Sequence, residues 1–390
     1  MVKELARRGH VIDEYIIRIG EPNDAHWPLT PFVRERYRHI VPRSGNRLRP
    51  YLAHVWASLV QDTLKSRTFN KVLRSLGSSM STRGYDVVHV DHCSPSYTVP
   101  LVAMVAIPTV LYSHEVSGAR YDRVSPSDNN DDRSLYRRAC DLATDLWAGK
   151  RERIDRWGVA RADLVMTNSY YSKEAMFQRV RRNCVVCRYG VDIETFRPLG
   201  LRREPIVLSA GRLVEAKQHH LVIDAVSKIP VSRRPRVVIA TPEALTHQED
   251  PAYAERVIGM AKERDVTLEV RRNPTEGGLV EMYNRALMLA FVPVMEPFGL
   301  VALEAMACGT PVVGIREGGV RESVVDGRTG RLVDRIPDDV AGAIDALVQH
   351  DELRERYGAA AADYVRQEWS WSRCIDRYES EVARLLAMHG

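Results

Sequence analysis

The stretch EPFGLVALEAMACGTPVV, residues 296–313, places the carboxylates Glu296 and Glu304 on either side of a short apolar run. MLAFVPV before it is strand-like and LVALEAMA is helix-like, so MEPFG is predicted to be the turn between a strand and a helix. Backbone amides at a helix N-terminus lack intrahelical partners and lie at the positive end of the helix dipole, which suits phosphate oxygens. The amides predicted at this position are those of Phe298, Gly299, Leu300 and Val301.

A second candidate element is LSAGRLVEAKQHH, residues 208–220, in which a strand runs into a glycine turn and then a helix from about residue 218. Arg212 and Lys217 follow the carboxyl end of that strand, the edge where open α/β sheets bind ligands. Two cations there suit a phosphate or diphosphate. The alternative is that both are solvated loop residues.

The two glutamates suggest a row of subsites. Glu304 falls in the second turn of the predicted helix, where its carboxylate can accept two hydroxyl hydrogen bonds, as a ribose diol offers. Glu296 precedes the turn and is placed to hold hydroxyls of another sugar beyond the diphosphate. The alternative is that Glu296 caps the helix and Glu304 pairs with an arginine.

These residues require a scaffold of parallel strands, and 390 residues are enough for two domains. From residue 85, β-rich runs alternate with helical ones, including a long helical stretch near 133–160. The pattern restarts after the connector FRPLGLRREP with six strand-like runs: IVLSAG, RVVIAT, VTLEV, MLAFVPV, TPVVGI and GRLV. The alternation predicts an α/β protein with two doubly wound domains. We expect a first domain over 1–198, a second over 199–368, and a terminal amphipathic helix over 369–390 that packs back on the first domain. Its apolar residues at helical spacing are Trp371, Ile375, Tyr378, Val382 and Leu385.

The front of the chain departs from this plan. VKELARRG reads as a helix stopped by Gly9, and HVIDEYIIRI as the strand that follows it. Because a doubly wound domain normally begins with a strand and a glycine-rich turn, the first domain is expected to lack its first strand.

Three segments together resemble a known family: SAGRLVEAK, EPFGLVALEAMACGTPVVGIREGGVRESVVDGRTGRLV, and ADLVMTNSYYS with YGVDIETFRP. They are similar to the retaining, nucleotide-sugar-dependent glycosyltransferases of family 4 type, which have two Rossmann-like domains facing across a cleft (the GT-B fold). The resemblance extends over residues 85–380. It implies a hexosyltransferase of polysaccharide or glycolipid biosynthesis, with an acceptor-side domain over 1–198 and a nucleotide-sugar-binding domain over 199–368.

By this resemblance, Arg212 and Lys217 bind the donor diphosphate and Glu304 binds the ribose. Glu296, with the amides of Phe298 to Leu300, holds the transferred hexose. His114, in VLYSHEV, contacts the donor sugar near the reacting centre. Without the family context, a histidine at a strand end is more simply structural.

The mechanism follows partly from the residues and partly from the resemblance. No Asp-x-Asp element is present to hold a metal on the donor, and the cations and the helix N-terminus can stabilise a departing diphosphate. We therefore expect metal-independent transfer with no cofactor besides the donor. The resemblance implies retention of anomeric configuration, with the leaving phosphate helping to deprotonate the acceptor.

The donor base is left open between UDP-, GDP- and ADP-linked sugars. Tyr189 stands where the family often has an asparagine, and VRRNPTEGG replaces a glycine-containing turn near the base. A base contact by Arg272 or Asn273 is therefore doubtful. The glycine-rich turn after the missing first strand is also absent.

Residues 34–83 contain eleven Lys or Arg against two acids. Such a basic segment, with apolar residues interspersed, suits an anionic membrane or a lipid-phosphate acceptor, although a solvated face over the sheet is the alternative. No secretory signal is recognisable at the start and no apolar run is long enough to span a membrane. We expect a cytoplasmic protein and leave peripheral contact at the inner membrane face open. The six cysteines are expected to be reduced, and the CxxC pair Cys184 and Cys187 to pack within a strand.

Other functions stay open or are disfavoured. A non-catalytic nucleotide-sugar-binding subunit and a sugar-nucleotide epimerase or glycan phosphorylase use the same plan. Nucleic-acid binding is disfavoured because no recognition motif accompanies the basic run. A nicotinamide enzyme is disfavoured because no G-x-G-x-x-G follows a strand. The acceptor is left as a glycan, a lipid-linked saccharide or a small molecule.

Overall fold

In the part of the chain that the structure describes, the strands are short and pair in parallel. The computed structural model describes residues 1–19, 34–41, 71–91, 99–114, 153, 156–242 and 250–390. Within them the strands are β1 (Asp13–Ile19), β2 (Glu35–Val41), β3 (Val88–Asp91), β4 (Thr109–Ser113), β5 (Leu164–Thr167), β6 (Val185–Val186), β7 (Glu204–Ala210), β8 (Arg236–Thr241), β9 (Leu268–Arg272), β10 (Ala286–Phe291), β11 (Val312–Ile315) and β12 (Gly330–Val333).

Helices follow most of these strands. They are α1 (Val2–Arg7), α2 (Tyr170–Val180), α3 (His219–Ser227), α4 (Pro251–Glu263), α5 (Glu276–Arg285), α6 (Leu300–Ala307), α7 (Val320–Ser323), α8 (Pro337–Gln349), α9 (Asp351–Glu368) and α10 (Trp371–His389). Residues 71–81 are also helical, and short 3-10 turns lie at Val99–Ala103, Glu215–Lys217 and Val231–Arg233.

The chain divides into two compact units. The first contains Met1–Asn168, Ser172–Cys187 and Ile375–Gly390, and the second contains Ser169–Tyr171 and Arg188–Cys374. All of α10 from Ile375 onward therefore belongs to the unit that contains the start of the chain. The functional division into acceptor-side and donor-side domains stays a prediction.

The first unit contains a four-stranded sheet of order β3-β4-β5-β6 and a separate two-stranded sheet of β1 and β2. The predicted initial helix and strand are confirmed as α1 and β1, and Gly9 between them has φ 92°. Most of the long helix predicted near 133–160 lies outside the described residues, as do large parts of the basic segment 34–83. In α10, three of the five predicted apolar positions are buried: Ile375, Tyr378 and Leu385.

The second unit contains a six-stranded sheet of order β12-β11-β10-β7-β8-β9. The chain runs outward from β7 through β8 to β9, then returns to β10 beside β7 and runs outward through β11 to β12. This is the predicted doubly wound arrangement, and the reversal lies between β7 and β10. Ligands of open α/β sheets bind outside the carboxyl ends of the strands at such a switch point.

Apolar side chains on both faces hold this sheet. All six residues of β10, ALMLAF, are buried, as expected for a central parallel strand covered on both sides. Small and apolar residues let α6 pack closely on one face, and Ala302, Leu303, Ala305 and Met306 are buried there. The helix ends just before Gly309, which has φ 73°, a left-handed conformation that glycine adopts at helix ends.

Two further predictions from the sequence concern the cysteines and the length of apolar helices. Cys184, Cys187, Cys308 and Cys374 are free, buried thiols, so the CxxC pair is not a disulfide; the other two cysteines lie outside the described residues. None of the helices in the described ranges has the length and apolar character needed to cross a bilayer.

Candidate functional site

The exit turn of β7 presents Arg212 to solvent. Gly211, directly after the strand, has φ 149°, and its amide donates to the carbonyl of Ala240 on β8 at 2.9 Å. Arg212 is exposed, and its guanidinium makes no hydrogen bond or ion pair to the residues described in 156–242 and 250–390. A 3-10 turn ending at Lys217 follows, and α3 then begins close to the predicted residue 218. The turn therefore leaves a cation at the carboxyl edge of the sheet.

The exit turn of β10 meets that of β7. Val294 donates its amide to the carbonyl of Ala216 at 2.9 Å. The Lys217 Nζ and Glu296 Oε2 atoms are 2.6 Å apart, with side chains 21 % and 25 % exposed. Two of the predicted site residues are thus in direct contact at the switch point between β7 and β10.

The turn of residues 295–299 delivers the start of α6. Gly299 is the N-cap with φ 88° and ψ 49°, and no side chain caps the helix. A side chain at 299 would need the left-handed conformation and would place its Cβ 3.2 Å from two ring atoms of Phe291. Glu296 therefore does not cap the helix, which was the alternative interpretation, and instead pairs with Lys217.

The amides at this helix start are unused in the structure as described. Their N–H groups donate to no other residue that the structure describes. Because α6 has eight residues, these N–H groups point in a common direction along the helix axis. The amides are those of Phe298, Gly299, Leu300 and Val301. Four unused donors at a helix N-terminus suit an anion.

A glycine pair beyond β11 lets the Glu296 turn lie close to the sheet. The amide of Gly319 donates to the carbonyl of Glu296 at 2.8 Å. A Cβ on Gly319 would lie 2.2 Å from the carbonyl oxygen of Pro297, and one on Gly318 would lie 2.4 Å from that of Glu296. Neither position was predicted from the sequence, although a GG dipeptide shortly after a strand is a visible signal.

Glu304 lies in the second turn of α6, as predicted, but its partner is a tyrosine. The buried Tyr283 hydroxyl, from α5, donates to Glu304 Oε2 at 2.9 Å. Burial raises the pKa of Glu304 to about 7 against the opposing effect of that hydrogen bond, and burial also raises the pKa of Tyr283 well above its ordinary value. The described residues give Glu304 no arginine partner, so this alternative is not seen either.

His114 belongs to the first unit. It follows β4, and its Nε2 lies 3.0 Å from Oδ1 of Asp91 at the end of the neighbouring strand β3. The same Asp91 oxygen is 3.2 Å from Nε2 of His89, whose Nδ1 is 3.0 Å from the hydroxyl of Tyr378. The structure places His114 at a strand end, as predicted, within a cluster that the sequence analysis did not identify.

Residues considered for the donor base lie on different elements. Arg272 ends the edge strand β9, and Asn273 follows it with φ 48° and donates its amide to the Thr241 carbonyl at 2.8 Å. The ring of Tyr189 packs edge-on against Phe298, with centroids 4.9 Å apart. Within the described ranges no group of three or more His, Cys, Asp or Glu side chains is placed to hold a metal ion.

These two parallel α/β units, the second with an unpaired arginine and unused amides at its switch point, have the architecture of the two-domain Rossmann-like GT-B class. Residues 1–195 match the family model described as Glycosyltransferase Family 4, and residues 192–364 match the model described as Glycosyl transferases group 1. The first match covers half of the chain. The chain therefore belongs to Glycosyltransferase Family 4.

Named relatives agree with this assignment. The chain is 36 % identical over 202 residues to the D-inositol 3-phosphate glycosyltransferase of Kribbella flavida, covering 47 % of this chain and 46 % of that protein. It is 31 % identical over 207 residues to alpha-maltose-1-phosphate synthase of Mycobacterium tuberculosis, covering 48 % and 53 %. The chain thus spans about half the length of these curated relatives. A D-inositol 3-phosphate glycosyltransferase of Corynebacterium diphtheriae matches at 27 % over 97 % of this chain and 87 % of that one.

Solved structures share the fold. Sucrose-phosphate synthase from Thermosynechococcus elongatus superposes with a TM-score of 0.73 at 20 % identity, covering 99 % of this chain and 92 % of that one. The Anabaena protein HepE, solved in complex with UDP and glucose, superposes with a TM-score of 0.66 at 17 % identity, covering 91 % and 88 %. The sequence-based prediction of the fold class is therefore confirmed.

Proposed function

We propose that this protein is a retaining hexosyltransferase that uses a nucleotide-sugar donor and no metal. The observation that carries the proposal is the contact of Lys217 with Glu296 beside the unused amides of α6, in a chain of this family. A lysine, a free arginine and a helix N-terminus gather positive charge at one end of the sheet. The two glutamates add hydroxyl acceptors on either side of it.

Each residue then has a part in binding the donor. Arg212, Lys217 and the amides of the 298–301 turn hold the diphosphate. Glu304 accepts hydrogen bonds from the ribose hydroxyls, and Glu296 accepts them from the transferred hexose. His114 contacts the donor sugar near the reacting carbon, a role that rests on the family resemblance.

In the reaction, the bond between the anomeric carbon and the leaving phosphate oxygen breaks, and a bond to an acceptor hydroxyl forms on the same face. The acceptor proton passes to the leaving phosphate, so no protein nucleophile is assigned. Positioned cations and amides stabilise the negative charge that develops on the diphosphate. Such a site has no need of a divalent ion, and we expect activity to persist in excess EDTA.

Donor binding is tested first. A thermal-shift panel of UDP, GDP and ADP, with and without attached sugars, identifies the base, because a specific ligand raises apparent stability. UDP leads the panel because the HepE structure is described as a complex with UDP. Stabilisation by none of these nucleotides at millimolar concentration would contradict the proposal.

Turnover is tested with the donor so identified. Arg212→Ala is expected to lower the rate of sugar transfer roughly a hundredfold, by analogy with removal of an oxyanion-hole donor. Glu296→Ala is expected to lower it by a similar factor, because the hexose loses the acceptor that positions it. Proton NMR of the first product formed reports whether the anomeric configuration is retained. Binding without any transfer or donor hydrolysis would instead indicate a non-catalytic nucleotide-sugar-binding subunit, and epimerised donor would indicate an epimerase.

The acceptor and the location of the protein are proposed more broadly. The names of the relatives include D-inositol 3-phosphate and maltose 1-phosphate, so a phosphorylated polyol or sugar is the first small-molecule acceptor to test, with unphosphorylated inositol as its control. Glycans and lipid-linked saccharides follow. We propose a cytoplasmic protein, and co-sedimentation with anionic and neutral liposomes at low salt tests a peripheral membrane contact through residues 34–83.

A further inference from the structure

His219 is the first residue of α3, and its side chain is almost completely buried, at 1 % exposure. Its Nδ1 lies 2.8 Å from the hydroxyl oxygen of Ser209 on β7, and its Nε2 lies 3.1 Å from the backbone carbonyl oxygen of Arg212. One imidazole therefore joins the end of the strand, the exit turn and the start of the helix. This residue was not singled out from the sequence, where it is one half of a His-His pair.

The partners decide where the proton resides. The Arg212 carbonyl is only an acceptor, so Nε2 carries the hydrogen and donates it. In a neutral imidazole Nδ1 is then an acceptor, and the Ser209 hydroxyl donates to it. Burial, with the nearby Lys217 and His220 charges adding to it, lowers the pKa of His219 to about 4, so the neutral tautomer persists at physiological pH.

The hydrogen bond from His219 holds the backbone of Arg212, whereas the Arg212 side chain is free among the described residues. The Arg212 carbonyl also accepts from the amide of Val214 at 2.9 Å, and the carbonyl of Leu213 accepts from the amide of Asp250 at 3.2 Å. Among the described residues, His219 is the side chain that bonds the Arg212 backbone. Its ring is itself fixed by Ser209, so the turn is held at a set distance from the sheet.

We propose that His219, oriented by Ser209, is a positioning residue of the donor site that holds the Arg212 guanidinium toward the donor diphosphate. The inference rests on the proposed donor function of Arg212. It goes beyond that function because it assigns a role to two buried residues that do not touch the donor. A long, exposed arginine binds an anion more tightly when its backbone anchor is fixed in advance, since less conformational freedom is lost on binding.

A double-mutant cycle tests the proposal. Binding of the nucleoside diphosphate selected by the thermal-shift panel is measured by calorimetry for the wild type, Arg212→Ala, His219→Leu and the double variant. Loss of the arginine is expected to weaken binding roughly tenfold to a hundredfold, the range for a charge-assisted hydrogen bond. His219→Leu is expected to weaken it about fivefold, and this effect is expected to vanish in the Arg212→Ala background.

Two further variants separate positioning from folding. His219→Gln keeps a donor that can reach the Arg212 carbonyl and is expected to recover most of the lost affinity. Ser209→Ala removes only the bond that orients the ring, so it is expected to weaken binding about twofold in the presence of Arg212 and not in its absence. This variant decides the question if His219→Leu fails to fold, as judged by circular dichroism.

The outcomes are distinct. Weakening by His219→Leu or Ser209→Ala that is equal with and without Arg212 overturns the positioning role, because a general structural effect would act in both backgrounds. Unchanged affinity in these variants overturns it as well. An Arg212→Ala protein that binds the nucleoside diphosphate like the wild type instead contradicts the proposed donor function, and the positioning role falls with it.

Discussion

Lys217 and Glu296 are 79 residues apart in sequence, and their Nζ and Oε2 atoms are 2.6 Å apart in the structure. They lie on the exit turns of β7 and β10, the two strands between which the sheet reverses its order. The carboxylate therefore neutralises the lysine at the place where we propose that an anionic diphosphate binds. In the absence of donor, the site contains its own counter-charge.

The first prediction concerns this ion pair. Glu296→Gln removes the negative charge next to Lys217, so a nucleoside diphosphate without a sugar is expected to bind about threefold to tenfold more tightly at low salt. Sugar transfer is expected to fall by roughly a hundredfold in the same variant, because the amide is a poorer acceptor for the hexose hydroxyls. Calorimetry and an initial-rate assay give the two numbers.

A matched control for this variant is Glu281→Gln. Glu281 forms an exposed ion pair with Arg285 at 2.8 Å on α5 and has no proposed role, so its loss is expected to leave affinity and rate unchanged. Weaker binding of the bare nucleotide by Glu296→Gln would show that the carboxylate does not compete with the diphosphate for Lys217.

A second prediction follows from the tyrosine that donates to Glu304. Tyr283→Phe removes a hydrogen bond that lowers the pKa of Glu304, so this pKa is expected to rise further above 7. A protonated carboxyl accepts hydroxyl hydrogen bonds less well. Nucleoside diphosphate affinity at pH 7 is expected to fall about threefold to tenfold and to recover partly at pH 8.5.

Tyr364→Phe, at a half-buried tyrosine packed in the same core, is the control and is expected to have no such pH-dependent loss.

The third prediction is a pH dependence of stability. In the unfolded chain Glu304 loses its proton at the ordinary glutamate pKa, whereas burial keeps it protonated in the native state up to about pH 7. Between the ordinary glutamate pKa and about pH 7, the native state therefore binds more protons than the unfolded chain. The free energy of unfolding of the wild type falls as pH rises through this window. Glu304→Gln does not titrate, so its stability relative to wild type is expected to increase by on the order of 2 kcal/mol between pH 5 and pH 8. Urea unfolding at the two pH values measures the difference, and a constant difference would contradict the raised pKa.

Much of the fold and part of the site follow from the sequence. The six strand-like runs of the second unit form the six strands of one parallel sheet, because each is a short apolar run between helix-like segments. The rule that parallel strands end at the same edge is enough to place Arg212, Lys217 and Glu296 at one edge of the sheet from the sequence alone. Local pattern and topology are sufficient for these features.

The contacts of individual site residues do not follow in the same way. Glu304 is paired with Tyr283, which lies on the preceding helix, and no spacing rule connects the two positions. Gly319 leaves room for the Pro297 carbonyl, and His219 donates to the Arg212 carbonyl. Both roles depend on where a backbone carbonyl lies in three dimensions. Such contacts depend on how the turns pack, which periodicity and composition do not specify.

The last prediction concerns the close approach of the glycine pair to the donor turn. Gly319→Ala would place a Cβ 2.2 Å from the Pro297 carbonyl oxygen, and because the obstacle is backbone, the 295–298 turn must shift. The shift moves Glu296 and the amides after it, so the transfer rate is expected to fall at least tenfold, with a loss of stability of roughly 1–3 kcal/mol. Gly342→Ala is the matched control: it lies inside α8, no described atom lies within 4 Å of its added Cβ, and it is expected to stabilise the protein by roughly 0.5–1 kcal/mol with unchanged activity. Equal rates for the two variants, measured at saturating donor, would show that the position of the Glu296 turn does not depend on the glycine pair.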